Sequence, residues 1–294
     1  MKTIRLYVSA YQSMACEATE ILRPVSAGAA LYDADVPRLP LCDDSGEHIS
    51  GANRQYCELT VQYWAWKNQI FDVGGLLHER RYFDASSTHP YACDQPRRPK
   101  RPYRIVGQPT EAIRQSIGMT KEKLSDLTER YRIIAPLTEN LYQRVEDYYN
   151  RHDRCGFDDL GLLRTVIQER YPSYAESAER YFGQPFAYFC NMFIADRAIF
   201  DDYSEWLFTI LADYTRRKPA QALYPREQGK LAERLFGVYM TYLKEHTDIP
   251  WAELPRVHFS SLNGVTPRNK SFSRLWYYLC PPDSRRRGWL RKFI

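Results

Sequence analysis

Cysteine is present but organised into nothing. No CxxC pair occurs, and the seven cysteines (Cys16, Cys42, Cys57, Cys93, Cys155, Cys190 and Cys280) are scattered and odd in number. That pattern indicates neither a disulfide framework nor a zinc site, and it fits a reducing compartment. Long apolar runs are missing as well. No stretch of about 18 apolar residues occurs, and the opening MKTIRLYVSAYQ lacks the apolar core of a signal peptide. The expected location is the cytoplasm, or a membrane surface touched from outside the bilayer. No internal repeat or low-complexity tract breaks the 294 residues, a length that suits one large α/β domain or two small ones.

What the chain has in quantity is aromatic side chains, 14% of all residues, with 23 Tyr and 6 Trp. Flat faces with polar tips suit stacking on a sugar or a base, and equally suit a Tyr-rich core. The net charge of +5 points to anionic partners: nucleotides, nucleic acid or acidic lipid.

Alternating Ile4, Leu6 and Val8 predict a first strand over residues 3–10. A loop-rich stretch runs to about residue 50. Leu59, Tyr63, Trp66 and Ile70 then form one apolar stripe of a helix, with Ser50 or Asn53 as its cap. Residues 84–105 contain QPRRPKRPYR, where proline after proline predicts a loop without regular structure. RIIAP (132–136) reads as a strand, and AYFCNMFIA (187–195) as a central one. Helices are marked by Leu160, Leu163 and Ile167, by Tyr203, Leu207, Ile210 and Tyr214, and by Leu231, Leu235, Val238 and Tyr242. Strands alternating with helices predict an α/β fold with helices on the sheet faces.

GGLLHERRYFD (74–84) joins an apolar run directly to His78, Glu79, Arg80 and Arg81. A buried strand ending at His78 would release these charges at the carboxyl edge of the sheet, where open α/β sheets bind ligands. Paired guanidiniums there match a pyrophosphate. Adjacent side chains on a strand point opposite ways, so a structural salt-bridge cluster is the competing reading.

Several blocks stand in order along the chain: DDSGEHIS, YCELT, YWAWKN, GLLHERRYF, NMFIADRAIFDDYSEWLF and REQGKLAERLFGVY. Together they resemble a bacterial family of capsular, exopolysaccharide and lipopolysaccharide biosynthesis proteins, over residues 3 to 245. The resemblance implies glycosyltransferases of GT-A-like fold, a Rossmann-like mixed sheet flanked by helices with a helical C-terminal part. In that family the segment usually ends in HYRRYF; here Glu79 replaces the tyrosine. Tyr11 and Gln12 stand where the family tends to have a His-Lys pair. The DAD run at Asp33–Asp35 lies outside the place of a metal motif, so no metal site is predicted, and Arg80 and Arg81 are expected to do part of a metal's work.

The resemblance implies donor-diphosphate binding by His78, Arg80 and Arg81. Glu58, Asn191, Glu233 and Arg234 are the candidates for the donor or acceptor side. A catalytic base is needed if the anomeric centre inverts. Asp158, Asp159, Asp196, Asp201, Asp202, Glu205, Glu227 and Glu233 are carboxylates near these motifs, and Asp159 is the expected base. The expected organisation is a glycosyltransferase domain, 1–273, followed by a basic amphipathic tail, 274–294. The tail ends in Arg and Lys among Trp289, Leu290, Phe293 and Ile294, which suits an anionic membrane surface over residues 285–294; a solvated terminus is the alternative. The expected function is transfer of a hexose, galactofuranose being one candidate, from a UDP-sugar to a lipid-linked surface polysaccharide. This would take place at the inner face of the cytoplasmic membrane, with no nucleic-acid partner. The rival is a non-catalytic binder of RNA or acidic polysaccharide. A glycoside hydrolase would need a facing carboxylate pair, and no motif identifies one.

Overall fold

The structure is a computed structural model, and it describes residues 2–11, 17–86, 90–95, 98, 101–153, 157–259, 279–280 and 284–290. Strands β1 (Ile4–Ala10), β2 (Leu22–Ser26) and β3 (Leu41–Cys42) run parallel at one side of the sheet. Helices α1 (Asn53–Tyr56) and α2 (Leu59–Asn68) lead into β4 (Val73–His78), which pairs in parallel with β1. β4 turns through Glu79 and Arg80 into β5 (Arg81–Phe83). Then come β6 (Tyr91–Ala92), β7 (Tyr103–Val106), α3 (Glu111–Ser116), α4 (Lys121–Arg130), β8 (Ile133–Pro136) and β9 (Glu139–Asn140). Helices α5 (Val145–His152), α6 (Asp159–Arg170) and α7 (Ala175–Gly183) precede β10 (Phe186–Ala187) and β11 (Phe193–Asp196). The long helices α8 (Arg197–Arg217) and α9 (Glu227–His246) are followed by β12 (Trp251–Leu254) and β13 (Arg256–Phe259).

The main sheet has the order β3-β2-β1-β4-β11-β8-β12-β6. β11 runs antiparallel between β4 and β8, whereas β12 is parallel to β8. A side branch leaves this path where β5 pairs with β13, and β13 with β7. Both faces are covered. Ile4, Leu6 and Val8 of β1 belong to a core with Leu124 and Leu127 of α4, while Tyr7 packs with Trp64 and helices α2 and α8 on the other face. Each large side chain so buried contributes about 1.5–3 kcal/mol.

The two glycines of β4 have a steric cause. A Cβ on Gly75 would lie 2.7 Å from the Phe193 carbonyl oxygen and 2.8 Å from Leu6 Cδ2. β1 and β11 therefore close on β4 only if position 75 has no side chain. Gly75→Ala is expected to lose about 1–3 kcal/mol, read as a lower urea midpoint.

Several expectations change. The Pro-punctuated stretch holds β6 and β7, and the loop before residue 50 holds β2 and β3. Only the end of AYFCNMFIA is central strand, since β11 begins at Phe193. Ile70 is 94% exposed, because α2 has already ended at Asn68. Neither Ser50 nor Asn53 caps α2; Ser50 Oγ hydrogen-bonds Asp43 instead. Part of the predicted tail, 274–278, 281–283 and 291–294, lies outside the described residues. Within it, Arg285–Leu290 is a short helix whose Gly288 sits against the Tyr142 ring.

Candidate functional site

β1 and β4 both end at one edge of the sheet, and the antiparallel β11 begins there. At this edge lies a cleft of about 330 Å³ lined by Tyr11, Asn53, Arg54, Glu58, His78, Arg80, Arg81, Arg226 and Glu233, with Cys57 and Cys190. Among the described residues, Arg54, Arg80, Arg81 and Arg226 have no carboxylate within ion-pair distance, and Arg81 Nε is buried without a hydrogen-bond partner.. Four guanidiniums face two carboxylates, Glu58 and Glu233. The cleft is built for a negatively charged ligand.

Its floor is a turn. Cys190 and Asn191 carry successive positive φ values, 83° and 44°, a conformation uncommon outside glycine. Four hydrogen bonds hold the turn. The Cys190 N–H donates to Glu233 Oε1 at 2.6 Å, and the Cys190 carbonyl accepts from His78 Nε2 at 2.6 Å. Asn191 Nδ2 donates to Glu58 Oε1 at 2.7 Å and to the Gly229 carbonyl at 2.9 Å. One strained turn thus fixes both carboxylates and the histidine.

Because its partner is a carbonyl, His78 Nε2 carries the proton. Burial, with Arg81 and Arg80 behind it, pushes the imidazole below its ordinary range, and Glu58, 3.6 Å away, opposes this. His78 is therefore neutral. His258, stacked on Tyr103, is pushed down to about 2 by burial and by Arg256 and Arg81. Burial raises Glu233 above the usual carboxylate range, and Arg234 and the Cys190 N–H pull the other way. Arg234 itself is fully buried, bonds Glu233 Oε2 at 2.9 Å and lies 4.9 Å over the Phe189 ring.

Glu58, His78, Arg80, Arg81 and Glu233 therefore line one cleft, and Asn191 and Arg234 stand directly behind it. Asp159 does not join them. Its side chain has no exposure. Lys218 Nζ and Tyr214 hold Oδ1 at 2.6 and 2.8 Å, and Tyr149 holds Oδ2 at 3.0 Å. An acceptor hydroxyl has no route to this carboxylate, so the base expected at Asp159 is replaced by a structural ion cluster with Lys218 and Glu227. The other carboxylates are also placed, and Glu205 stands exposed on α8. Asp158 and Asp196 cap α6 and α8, Asp201 pairs with Arg197, and Asp202 accepts from Tyr239. Of the DDSGEHIS block, Asp43 is a buried brace, accepting from Gly28 and Ala29 N–H groups, Ser50 and Thr60.

Sequence reasoning missed Arg54 and Arg226. Both lie in or beside the blocks quoted above, but a lone arginine carries no signal of where its side chain will point. The Asp33 and Asp35 side chains stand exposed in a turn. Among the described residues no three His, Cys, Asp or Glu side chains gather as a metal-binding group.

Comparison with protein families matches residues 5–245 to the family described as Domain of unknown function (DUF4422). The chain belongs to this family. Its fold is GT-A-like: the apo structure of the bifunctional glycosyltransferase WbbM superposes with a TM-score of 0.78 at 26% identity. That match covers 88% of this chain and 45% of the other, so this chain spans less than half the length of WbbM. Among curated proteins, none matches. Among the described residues, no helix of this family member is long and apolar enough to cross a membrane.

Proposed function

We propose that this chain is a glycosyltransferase whose cleft at the β1–β4 edge holds the diphosphate of a nucleotide sugar. The observation that carries the reading is the group of four arginines without carboxylate partners in that cleft. Arg80 and Arg81 neutralise the charge that develops on the leaving diphosphate, the role a divalent cation has in metal-dependent relatives of the fold. His78, neutral and fixed by the Cys190 carbonyl, offers no competing charge. The similarity to WbbM, a bifunctional glycosyltransferase, supports the reaction class. The donor we favour is a UDP-hexose, with UDP-galactofuranose as one candidate. The acceptor we favour is a lipid-linked polysaccharide intermediate presented at the inner face of the cytoplasmic membrane, with the basic residues of 285–294 against the anionic surface.

A thermal-shift series with UDP and UDP-hexoses, with and without Mn²⁺, tests this. Nucleotide at a hundred times its Kd stabilises by about 2.7 kcal/mol, several degrees in Tm for a domain of this size. The shift is expected to be the same in EDTA. No shift with any nucleotide would remove the reading. A response to oligonucleotide instead, steeply weakened by salt, would favour the RNA or polyanion binder.

A further inference from the structure

The donor cleft is not alone at this edge. A second cavity of about 290 Å³ adjoins it, lined by Tyr148, Asp153, Phe189, Gly229 and Lys230. The two cavities share four residues, Cys57, Glu58, Arg226 and Glu233, as a common wall. We propose that the second cavity receives the acceptor sugar and that Glu233, on the wall between the two, is the catalytic base. This deepens the transferase reading and rests on it.

The two cavities differ in chemistry. The first is arginine-rich. The second has aromatic faces, with Tyr148 and Phe189 edge-to-face at 5.9 Å, beside Lys230 and Asp153. Rings with flanking polar groups suit a neutral sugar, which offers an apolar face and a rim of hydroxyls. A base for this reaction must meet the acceptor hydroxyl on the side away from the leaving diphosphate. Among the described residues, the carboxylates on the shared wall are Glu58 and Glu233, both fixed by the Cys190–Asn191 turn.

Glu233 is the better placed. Its side chain keeps 21% exposure, against 10% for Glu58. Burial and the neighbouring Glu58 charge both raise its proton affinity. Among the described residues each Glu233 oxygen accepts one hydrogen bond, from the Cys190 N–H and from Arg234, so each keeps a lone pair for a further donor. In the step, Glu233 takes the proton of the acceptor hydroxyl as that oxygen bonds to the anomeric carbon. The bond from that carbon to the diphosphate breaks, and the electron pair leaves with the diphosphate toward Arg80 and Arg81. The anomeric configuration inverts. Glu58 acts as a positioning residue, holding Asn191 and adding negative charge beside the base.

The test uses the full chain, UDP-hexoses and a panel of octyl glycosides as acceptors, following UDP release and product formation. Glu233→Gln is expected to keep the UDP thermal shift and lose about 10²–10⁴-fold in kcat. In the wild type, kcat/KM is expected to fall as pH drops through a value above the ordinary glutamate range. The base form exists only above its raised pKa, so activity is lost on the acid side. Lys230→Ala is expected to raise the acceptor KM and leave the donor KM unchanged. The proposal is overturned if Glu233→Gln binds UDP and transfers within tenfold of wild type, if Glu58→Gln loses more than Glu233→Gln, or if Lys230→Ala weakens the donor instead. It is also overturned if the wild-type profile stays flat down through the ordinary glutamate range, a result that does not depend on any variant folding. A wild type that no nucleotide stabilises overturns the transferase reading itself, a separate outcome.

Discussion

Arg80→Ala and Arg81→Ala are each expected to weaken UDP binding by about 10- to 100-fold in isothermal titration, without lowering Tm. A hydrogen bond to a charged group contributes about 1.5–3 kcal/mol, which is that range of affinity. Neither arginine forms an ion pair among the described residues, so truncation strands no buried carboxylate. Arg81 in fact adds positive charge beside His258, Arg80 and the buried Arg256. Its removal relieves repulsion, and a slight gain in Tm is the expected sign of a group retained for binding rather than for folding. Arg81→Lys is expected to recover only part of the affinity, because an ammonium cannot present the planar fork. Unchanged UDP affinity in both alanine variants would show that the diphosphate lies elsewhere.

Lys218→Met is expected to cost about 3–5 kcal/mol in urea unfolding, the usual range for stripping one partner from a buried ion pair. Lys218, Asp159 and Glu227 all have side chains with no exposure, and the one ammonium serves both carboxylates. Tyr214 bridges the same two groups at 2.8 and 2.6 Å. The cluster joins the start of α6, the end of α8 and the start of α9, so its loss is felt in three helices. Domain stabilities are about 5–15 kcal/mol, and this single substitution removes much of that. The same site separates structure from chemistry: Asp159→Asn is expected to lower the urea midpoint while the folded fraction keeps its kcat. A Lys218→Met protein as stable as wild type would mean that the cluster contributes nothing net.

The strand ending in HERR was legible in the sequence because its signal is local. An apolar run meets a block of charge, and that junction marks a sheet edge whatever the rest of the chain does. The return strand Arg81–Phe83 was less visible, being three residues long. Asp158 and Asp159 illustrate the opposite limit. In FDDL both look like surface carboxylates, and one does cap α6. The other is buried by partners 59 and 68 residues further on, and nothing near position 159 announces Lys218 or Glu227. Glu253 and Arg256 hid β12 and β13 in the same way: each is buried, paired with Lys244 and Glu139 respectively, yet WAELPRVHF reads as polar with a proline in its middle. Cys190 and Asn191 were read as strand because neither is glycine, the residue that normally marks a left-handed turn. Arg80 and Arg81 came from that strand edge and were sharpened by the family resemblance, whereas the shared wall that orders the seven clustered candidates is a tertiary fact.

The position of β11 has a bearing on how the chain is made. β4 is finished at His78, but its neighbour on one side begins only at Phe193, more than a hundred residues later. During synthesis from the N-terminus, β1 through β4 can assemble long before that neighbour leaves the ribosome. For that interval the largely apolar Val73–His78 strand is an open edge able to pair with another nascent chain. Arg80 and Arg81 stand at the end of this strand, where their like charges repel those of a second copy. The arginines proposed to bind a diphosphate in the finished protein would thus also oppose self-association of the unfinished one.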